Sequence, residues 1–398
     1  MLKQYKLRFY NFRLVLLLAF TSFFGTQLVG IARSDLYTKQ IMGVVAGFVI
    51  MLVLSLIDYS WILNFQWIMY AGNLGLLLLV ILMGSSAKGA TRWLNLGFIQ
   101  FQPTELAKII IILFFAKFFM DHEEDLNTFK TLAKAAVLLA VPLVLILMQP
   151  DMKNTITIIV MFCMLIYIAG LSYKIIGGAI LIAVPLLIIF LSIVVQPDQK
   201  LIHDYQRTRI MSFLYPENDE YDDNNEQQNN SKTAIASGEL VGKRFSEDED
   251  VSSVNDGNFV SENQTDFIYA VAGEEFGFIG CAGIVIALFC ISAECIRMGL
   301  RAKDSAGKII CCSMGGLIAI QSTINIAVAT GIGPNTGTPL PFISYGLSSL
   351  LSLYIGMGIV LNVGLQGRAY DKELKTKNIY EKDEIFQSCL LYTSPSPR

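Results

Sequence analysis

Long runs of apolar residues recur along nearly the whole chain and are separated by short polar connections. Each run approaches the ~20 residues that an α-helix needs to cross a hydrocarbon core. We therefore predict ten membrane-spanning helices, at residues 13–33, 40–58, 62–83, 104–120, 131–148, 154–170, 174–195, 267–296, 306–330 and 343–365. The eighth run is long for one span, which predicts an interfacial turn near its start. The pattern indicates an all-α integral membrane protein.

Basic residues between the apolar runs predict the orientation of the chain. Lysine and arginine collect in the connections that stay in the cytoplasm. They are frequent before the first span, after the tenth and in alternate connections between them, with Lys88 and Arg92 as the exception. An even number of spans with both termini in the cytoplasm satisfies this distribution.

The largest polar segment, 196–265, joins the seventh and eighth spans and is predicted to be an extracellular loop. Its middle, 217–231, is poor in apolar residues, a composition typical of disorder. The last residues, 388–398, have neither a membrane nor a helix pattern, so we interpret them as a non-native tail. Residues 1–387 are predicted to form a single membrane domain.

Composition supports the membrane class and excludes others. The chain is 54% hydrophobic and 16% charged, with a mean hydropathy of +0.53, whereas soluble domains are about 25% charged. There is no basic stripe with interleaved aromatic residues, so nucleic acid is not an expected partner. The cysteines lie mostly inside apolar runs and imply no disulfide framework. His122 and His203 show no spacing that suggests a zinc site.

Ionisable residues inside spans are costly, which makes each of them a candidate for function. The fourth span opens with F-Q-P-T-E-L-A-K, in which Glu105 and Lys108 are three residues apart and share one helical face. Arg92 and Trp93 precede this helix and suit an outer interface. Two interpretations stay open: a site that faces substrate, or a structural ion pair that joins two helices.

A second candidate lies where the polar insert enters the eighth span, in T-D-F-I-Y-A-V-A-G-E-E-F-G-F-I-G. Asp266 shares a helical face with Ala270, Gly273 and Gly277. Such a small-residue face indicates either close helix packing or a groove with an acid at its mouth. Asp266 could also be a simple helix cap. Glu274, deeper in the same helix, needs a basic partner.

Three weaker features lie at the same predicted outer side. The turn Q-P-D-M-K-N-T carries Gln149, Asp151 and Lys153, and Asp before a helix is ordinary cap chemistry. The uncharged connection 331–346 is rich in Gly and Pro; exposed backbone of this kind is tolerated where it packs on protein or lines a cavity. Gln321 and Asn325, four residues apart, are interpreted as hydrogen-bonding groups between helices.

The ordered set of motifs resembles one family over nearly the full chain. The motifs are R-W, F-Q-P-T-E-L-A-K, Q-P-D, Y-Q-R-T-R-I, S-G-E-L-V-G-K, T-D-F-I-Y-A-V-A-G-E-E-F-G-F-I-G and P-L-P-F-I-S-Y-G. They are similar to those of the SEDS proteins (shape, elongation, division and sporulation), which include RodA, FtsW and SpoVE. Relative to that family pattern, Lys153, Glu239, Arg244 and Leu347 stand where glycine is usual.

The resemblance implies a ten-span SEDS-like fold and peptidoglycan glycosyltransferase activity in the bacterial cytoplasmic membrane. Such an enzyme polymerises lipid II, a lipid-diphosphate-linked disaccharide-pentapeptide, beside a class B penicillin-binding protein. It implies Asp266 as the essential aspartate, which we interpret as the general base. The expected substrate-binding residues are Glu105, Lys108, Arg92, Arg207, Arg209, Lys243, Asp151 and Gln149. The basic members would stabilise the diphosphate leaving group, with Mg²⁺ or Mn²⁺ as a possible cofactor.

Two other functions stay open. A lipid II flippase would need ionisable groups at several depths across the bilayer, whereas the best candidates here cluster toward the outer side. A scaffold without activity would only hold its penicillin-binding partner, and the altered glycines keep that hypothesis open.

Overall fold

The computed structural model describes residues 9–87, 90–95, 100–196, 204–215, 222–245 and 262–367. In chain order the helices are α1 (Phe12–Ala32), α2 (Ser34–Ser55), α3 (Tyr59–Leu63), α4 (Gln66–Met83), α5 (Pro103–Asp121), α6 (Phe129–Leu147), α7 (Met152–Ala169), α8 (Tyr173–Val194), α9 (Asp204–Leu214), α10 (Asp222–Ser237), α11 (Ile268–Gly299), α12 (Ser305–Ala329) and α13 (Leu347–Gly367). Three short strands, β1 (Ser85–Ala87), β2 (Ala90–Asn95) and β3 (Gln100–Phe101), lie between α4 and α5.

Within these ranges, nine helices are long and apolar enough to cross a membrane. The predicted span 104–120 is also a helix, α5, but its charged residues Glu105, Lys108 and Lys117 set it apart from the nine. It packs against α4, α7 and α12, and most of its residues are buried. Protein neighbours therefore surround Glu105 and Lys108 of α5. In contrast, no residue in the apolar stretch of α8 is buried, so α8 is the most exposed candidate span. The orientation of the chain stays a prediction.

Two predicted spans differ in detail from the helices. The third begins with the short α3, whose first turn Asp58 caps by accepting a hydrogen bond from the Ser60 amide at 3.0 Å, before α4 continues. The eighth corresponds to α11, which is 32 residues long and is interrupted at Gly277 (φ 60°, ψ −158°). Only glycine adopts such angles readily. The break therefore lies one third of the way along α11 and not near the start of the run, where the sequence predicts a turn.

A three-stranded antiparallel sheet, with the order β1-β2-β3, was not predicted from the sequence. Ser85 pairs with Trp93, and Leu94 pairs with Phe101. The strands have three, six and two residues. Segments this short hold too few positions to establish a period-two pattern, and Gln100–Phe101 directly precedes α5.

The prediction of disorder in 217–231 is wrong for residues 222–231, which belong to α10. Gln228 Nε2 donates to the Val328 carbonyl at 2.9 Å, and Ser231 Oγ donates to the Ala329 carbonyl at 2.8 Å. The last carbonyls of a helix lack partners inside it, so the polar side chains of α10 satisfy the end of α12. These contacts make up for the low hydrophobicity of the segment. Residues 217–221 and 388–398 lie outside the described residues.

Candidate active site

A buried polar cluster lies at the start of α5 and α7. Pro103 occupies the first turn of α5, as is common at helix starts. Lys108 Nζ lies 2.9 Å from Glu105 Oε1 and 3.2 Å from Asn154 Oδ1, and the Lys108 and Glu105 side chains are 2% and 4% exposed. The predicted pairing of Glu105 with Lys108 is confirmed. Through Asn154 the pair also joins α5 to α7, which favours the structural interpretation.

Asp151 is a fully buried member of this cluster. It is the N-cap of α7 and accepts hydrogen bonds from the Asn154 amide at 3.4 Å and from Asn154 Nδ2 at 2.8 Å. Gln102 Nε2 adds a contact at 3.2 Å. Gln149 Nε2 donates to the Leu77 carbonyl at 2.9 Å and so joins the turn to α4. The cap chemistry that the sequence indicates for Asp151 is confirmed. We call Gln102, Glu105, Lys108, Asp151 and Asn154 the buried cluster.

Asp266 is half-buried and lies in the turn that precedes α11. The N-cap position of α11 is Phe267, so Asp266 stands one residue before the cap. The interpretation of Asp266 as a helix cap stays a prediction. Its own carbonyl accepts a hydrogen bond from Asn325 Nδ2 at 2.8 Å, and the same amide donates to the Thr338 carbonyl at 2.7 Å. Asn325 thus fixes the turn against the connection 331–346.

The Asp266 carboxylate faces Gly337 of that connection. A Cβ atom on Gly337 would lie 2.9 Å from Asp266 Oδ2, and Gly337 has φ +71°. Lys153 Nζ donates to the Gly337 carbonyl. A lysine from α7 and the carboxylate before α11 therefore contact the same residue. We call Asp266, Lys153, Gly337 and Asn325 the Asp266 site.

The sequence predicts that the connection 331–346 either packs on protein or lines a cavity. In the structure it packs on protein. Phe342 and Ile343 are almost completely buried. Phe342 has φ +62°, a conformation that costs ~1–2 kcal/mol for a residue with a side chain. Ser344 Oγ holds the next residues by donating to the Thr265 carbonyl at 2.6 Å. Burial raises the pKa of the Tyr345 hydroxyl, and nearby Asp35 raises it further.

Most of the basic residues expected to bind substrate have protein partners. Arg92, on β2, donates to the Pro150 carbonyl. Arg207 donates to the Val194 and Val195 carbonyls at 3.2 and 3.3 Å and satisfies the C-terminal end of α8. Arg209 is half-buried on α9. Lys243 Nζ lies 2.7 Å from Glu274 Oε1, which supplies the basic partner that Glu274 needs. Arg92, Arg207 and Lys243 thus each contact a different segment of the protein.

The small-residue face of α11 serves close packing rather than a groove below Asp266. A Cβ on Gly273 would lie 3.0 Å from Ile235 of α10, and one on Gly238 would lie 1.8 Å from the Gly273 carbonyl oxygen. The backbone of the insert therefore lies directly against α11. Of the two interpretations of this face, close packing is confirmed.

Sequence reasoning missed how several polar residues are used. Gln102 and Asn154 stand inside motifs that had been singled out, and their spacing from Glu105 and Asp151 could have indicated shared helix starts. The sequence places Lys153 in a short outer turn, at a position where the family usually has glycine, and assigns it no partner. Its contact with the connection 331–346 spans 184 positions of sequence, and such a pairing leaves no local signal.

No group of three or more His, Cys, Asp or Glu side chains within the described residues could hold a metal ion. The Asp266 site offers one carboxylate, and its lysine, Lys153, contacts the same glycine. This arrangement does not fit a cation held by protein ligands alone.

The fold and the site define a multi-pass membrane protein with a polar site at one end of its helical bundle. The chain belongs to the FtsW/RodA/SpoVE family, described as cell cycle protein, whose profile matches residues 6–369. It is 31% identical over 339 residues to peptidoglycan glycosyltransferase MrdB of Escherichia coli K12, covering 84% of this chain and 87% of that protein. It is 32% identical over 373 residues to a probable peptidoglycan glycosyltransferase FtsW of Geobacter metallireducens, covering 89% and 94%.

Solved structures share this fold. One, described as showing structural coordination of polymerization and crosslinking by a peptidoglycan synthase complex, matches with a TM-score of 0.75 and 26% identity, covering 90% of this chain and 98% of that one. The crystal structure of the rod shape determining protein RodA of Thermus thermophilus matches with a TM-score of 0.65 and 25% identity, covering 89% and 96%. The SEDS-like membrane fold expected from the motifs is confirmed.

Proposed function

We propose that this chain is a peptidoglycan glycosyltransferase that polymerises lipid II into glycan strands at the outer face of the bacterial cytoplasmic membrane. The names of its relatives support the reaction class. The observation that carries the choice of residue is the half-buried Asp266 carboxylate, which lies against Gly337, the residue whose carbonyl accepts a hydrogen bond from Lys153.

Asp266 acts as the general base. It accepts the proton of the acceptor sugar's 4-hydroxyl, and the hydroxyl oxygen attacks the anomeric carbon of the donor. The bond between that carbon and the diphosphate oxygen breaks, and undecaprenyl diphosphate leaves. Direct attack inverts the configuration at the anomeric carbon, as in inverting glycosidases.

Lys153 is the best candidate for stabilising charge on the leaving diphosphate. A lysine is effective where negative charge develops in the transition state, and Lys153 contacts the same glycine as Asp266. Lys108 and Lys243 are each bound to a buried glutamate. They are weaker candidates, because a lysine that moved to the diphosphate would leave its glutamate buried without a compensating cation.

A divalent cation stays a prediction. Mg²⁺ is often held by one or two carboxylates together with phosphates of the substrate, and Asp266 would supply one carboxylate. The partner that we propose is a class B penicillin-binding protein, which would crosslink the strands. The similarity to a chain of a peptidoglycan synthase complex supports it.

The test is polymerisation of purified lipid II by the full chain, with and without the partner. Asp266→Asn should lower the rate by ~10²–10⁴-fold, the range for loss of a general base, with an unchanged melting temperature. Glu226→Gln, on exposed α10, is the matched control and should have no effect.

Retained polymerisation in Asp266→Asn would refute this role. If the unaltered chain polymerises nothing but moves lipid II across vesicle membranes, the protein is a transporter. If it does neither but binds the penicillin-binding protein, it is a scaffold.

A further inference from the structure

An apolar groove of about 410 Å³ lies between α1 and α11. Its walls include Phe20 and Phe24 of α1, Phe276 and Gly283 of α11, Phe245 of the insert and Ile343 of the connection 331–346. Ligand sites commonly have volumes of ~300–1,000 Å³. Phe20 is 65% exposed and Phe245 is 67% exposed, so the groove is open to its surroundings.

The insert builds one wall of this groove at the break in α11. The amide of Phe278 donates to the Glu239 carbonyl at 2.9 Å, and that of Ile279 donates to the Leu240 carbonyl at 3.2 Å. These amides follow Gly277, where the helical pattern is interrupted, and would otherwise lack acceptors. The Lys243–Glu274 ion pair holds the next residues. Val241 and Phe245 are thereby fixed against α11 as part of the groove.

A positive charge lies at the edge of the groove. Arg244 is exposed, and its guanidinium carbon lies 5.7 Å from the centre of the Phe276 ring, which lines the groove. Arginine binds phosphate groups well because its planar donors match their oxygens. The site therefore combines an apolar channel between two candidate membrane spans with a cation at its edge. An amphiphile with an anionic head complements both features.

The groove is also joined to the Asp266 site through one short stretch of chain. Ile343 lines the groove, and the adjacent Ser344 donates to the carbonyl of Thr265, the residue before Asp266. A Cβ on Gly25 of α1 would lie 2.5 Å from the Ile343 Cα, so α1 holds this stretch closely. A lipid that fills the groove therefore lies against the segment that supports the turn of Asp266.

We propose that the groove between α1 and α11 binds the isoprenoid tail of a polyprenyl diphosphate lipid, with Arg244 at the diphosphate. This inference rests on the proposed function, because both donor and growing strand would carry such a tail. It adds a substrate-binding surface that includes Arg244, a residue outside the expected site.

The test is binding of undecaprenyl diphosphate to the purified full chain, measured by native mass spectrometry. Gly283→Leu fills the groove, and a Cβ at Gly283 would meet nothing within 4 Å, so the substitution fits. Gly75→Leu on α4 is the matched control, because Gly75 is equally open. Ala287→Leu is a second filling variant in case Gly283→Leu does not fold.

We expect Gly283→Leu to weaken binding by at least ~10-fold, since loss of two or three buried CH₂ contacts has that effect. Gly75→Leu should bind normally. Arg244→Gln should weaken binding of undecaprenyl diphosphate but not of undecaprenol, which lacks the diphosphate. In polymerisation assays, Gly283→Leu should raise KM for lipid II with little change in kcat, the pattern for lost ground-state binding.

Normal binding by both filling variants would overturn the proposal, as would equal losses in Gly283→Leu and Gly75→Leu. Dioleoylphosphatidylglycerol that competes equally with undecaprenyl diphosphate would identify a general phospholipid site instead. Competition by inorganic pyrophosphate alone would show that the tail contributes nothing. Because binding is measured directly, a chain that fails to polymerise lipid II can still pass or fail this test.

Discussion

Two arrangements of a lysine with a carboxylate lie at the same end of the helical bundle and differ in exposure. In the buried cluster, Glu105 and Lys108 are almost inaccessible and share Asn154 as a further partner. In the Asp266 site, both Asp266 and Lys153 are half-buried and meet through the backbone of Gly337. The first is closed to a ligand as large as a sugar, and the second is open. Similar residue types therefore have different expected roles.

The energetics of the two sites differ accordingly. Removing one partner of a buried ion pair leaves an uncompensated charge at a cost of ~3–5 kcal/mol. A half-buried lysine that binds one carbonyl is solvated by water when that bond is lost, so its removal costs little stability. The comparison predicts that variants of the buried cluster lose folding first, and that variants of the Asp266 site lose activity first.

The largest expected effect on stability is that of Lys108→Met. Because the buried Glu105 loses its cation, we expect the free energy of unfolding to fall by about 3–5 kcal/mol. Thermal melting of the detergent-purified protein measures the loss. The double variant Glu105→Gln/Lys108→Met removes both charges and should recover part of the stability. A Lys108→Met protein with a normal melting temperature but no polymerisation would show that the pair acts on substrate.

The next largest effect is expected for Gly337→Ala, and here it is activity rather than stability that should fall. The added methyl group would lie 2.9 Å from Asp266 Oδ2, and alanine at φ +71° is strained. Displacement of a catalytic group by ~1 Å can lower a rate by ~10²-fold, and we expect a loss of that order. Gly72→Ala, where a Cβ would meet nothing within 4 Å, is the matched control. Polymerisation rates measured beside melting temperatures check the result; equal rates for the two variants would contradict it.

The sequence predicts those features of the structure that depend only on residues close together in the chain. The helices follow from runs of apolar residues, and the Glu105–Lys108 pair follows from a spacing of three on one helix. The cap role of Asp151 follows in the same way from its place before α7. These features need no knowledge of what packs against them.

Other features arise from contacts between distant segments. Most residues of α10 are polar, and the helix is stabilised by carbonyls about 100 positions away, at the end of α12. The contact of Lys153 with Gly337 and the pairing of Lys243 with Glu274 also depend on how the connections fold back. Composition alone therefore predicts disorder for 222–231, where the structure has a helix, and it gives no indication of the partners of Lys153 and Lys243.

The smallest of these effects, and the one that defines the Asp266 site most sharply, is expected for Lys153→Met. Removing the cation beside Asp266 should lower kcat by ~10-fold, equivalent to ~1.4 kcal/mol of transition-state stabilisation. Melting should change little, since one half-buried hydrogen bond contributes ~1 kcal/mol or less. Lys153→Arg should retain most of the rate because it keeps the charge, and Lys232→Met, an exposed lysine of α10 that packs on Gly331, is the control for positive charge elsewhere on the insert. If Lys153→Met melts several degrees lower at an unchanged kcat, Lys153 only holds the connection 331–346 in place. The Asp266 site would then use its lysine structurally, as the buried cluster does.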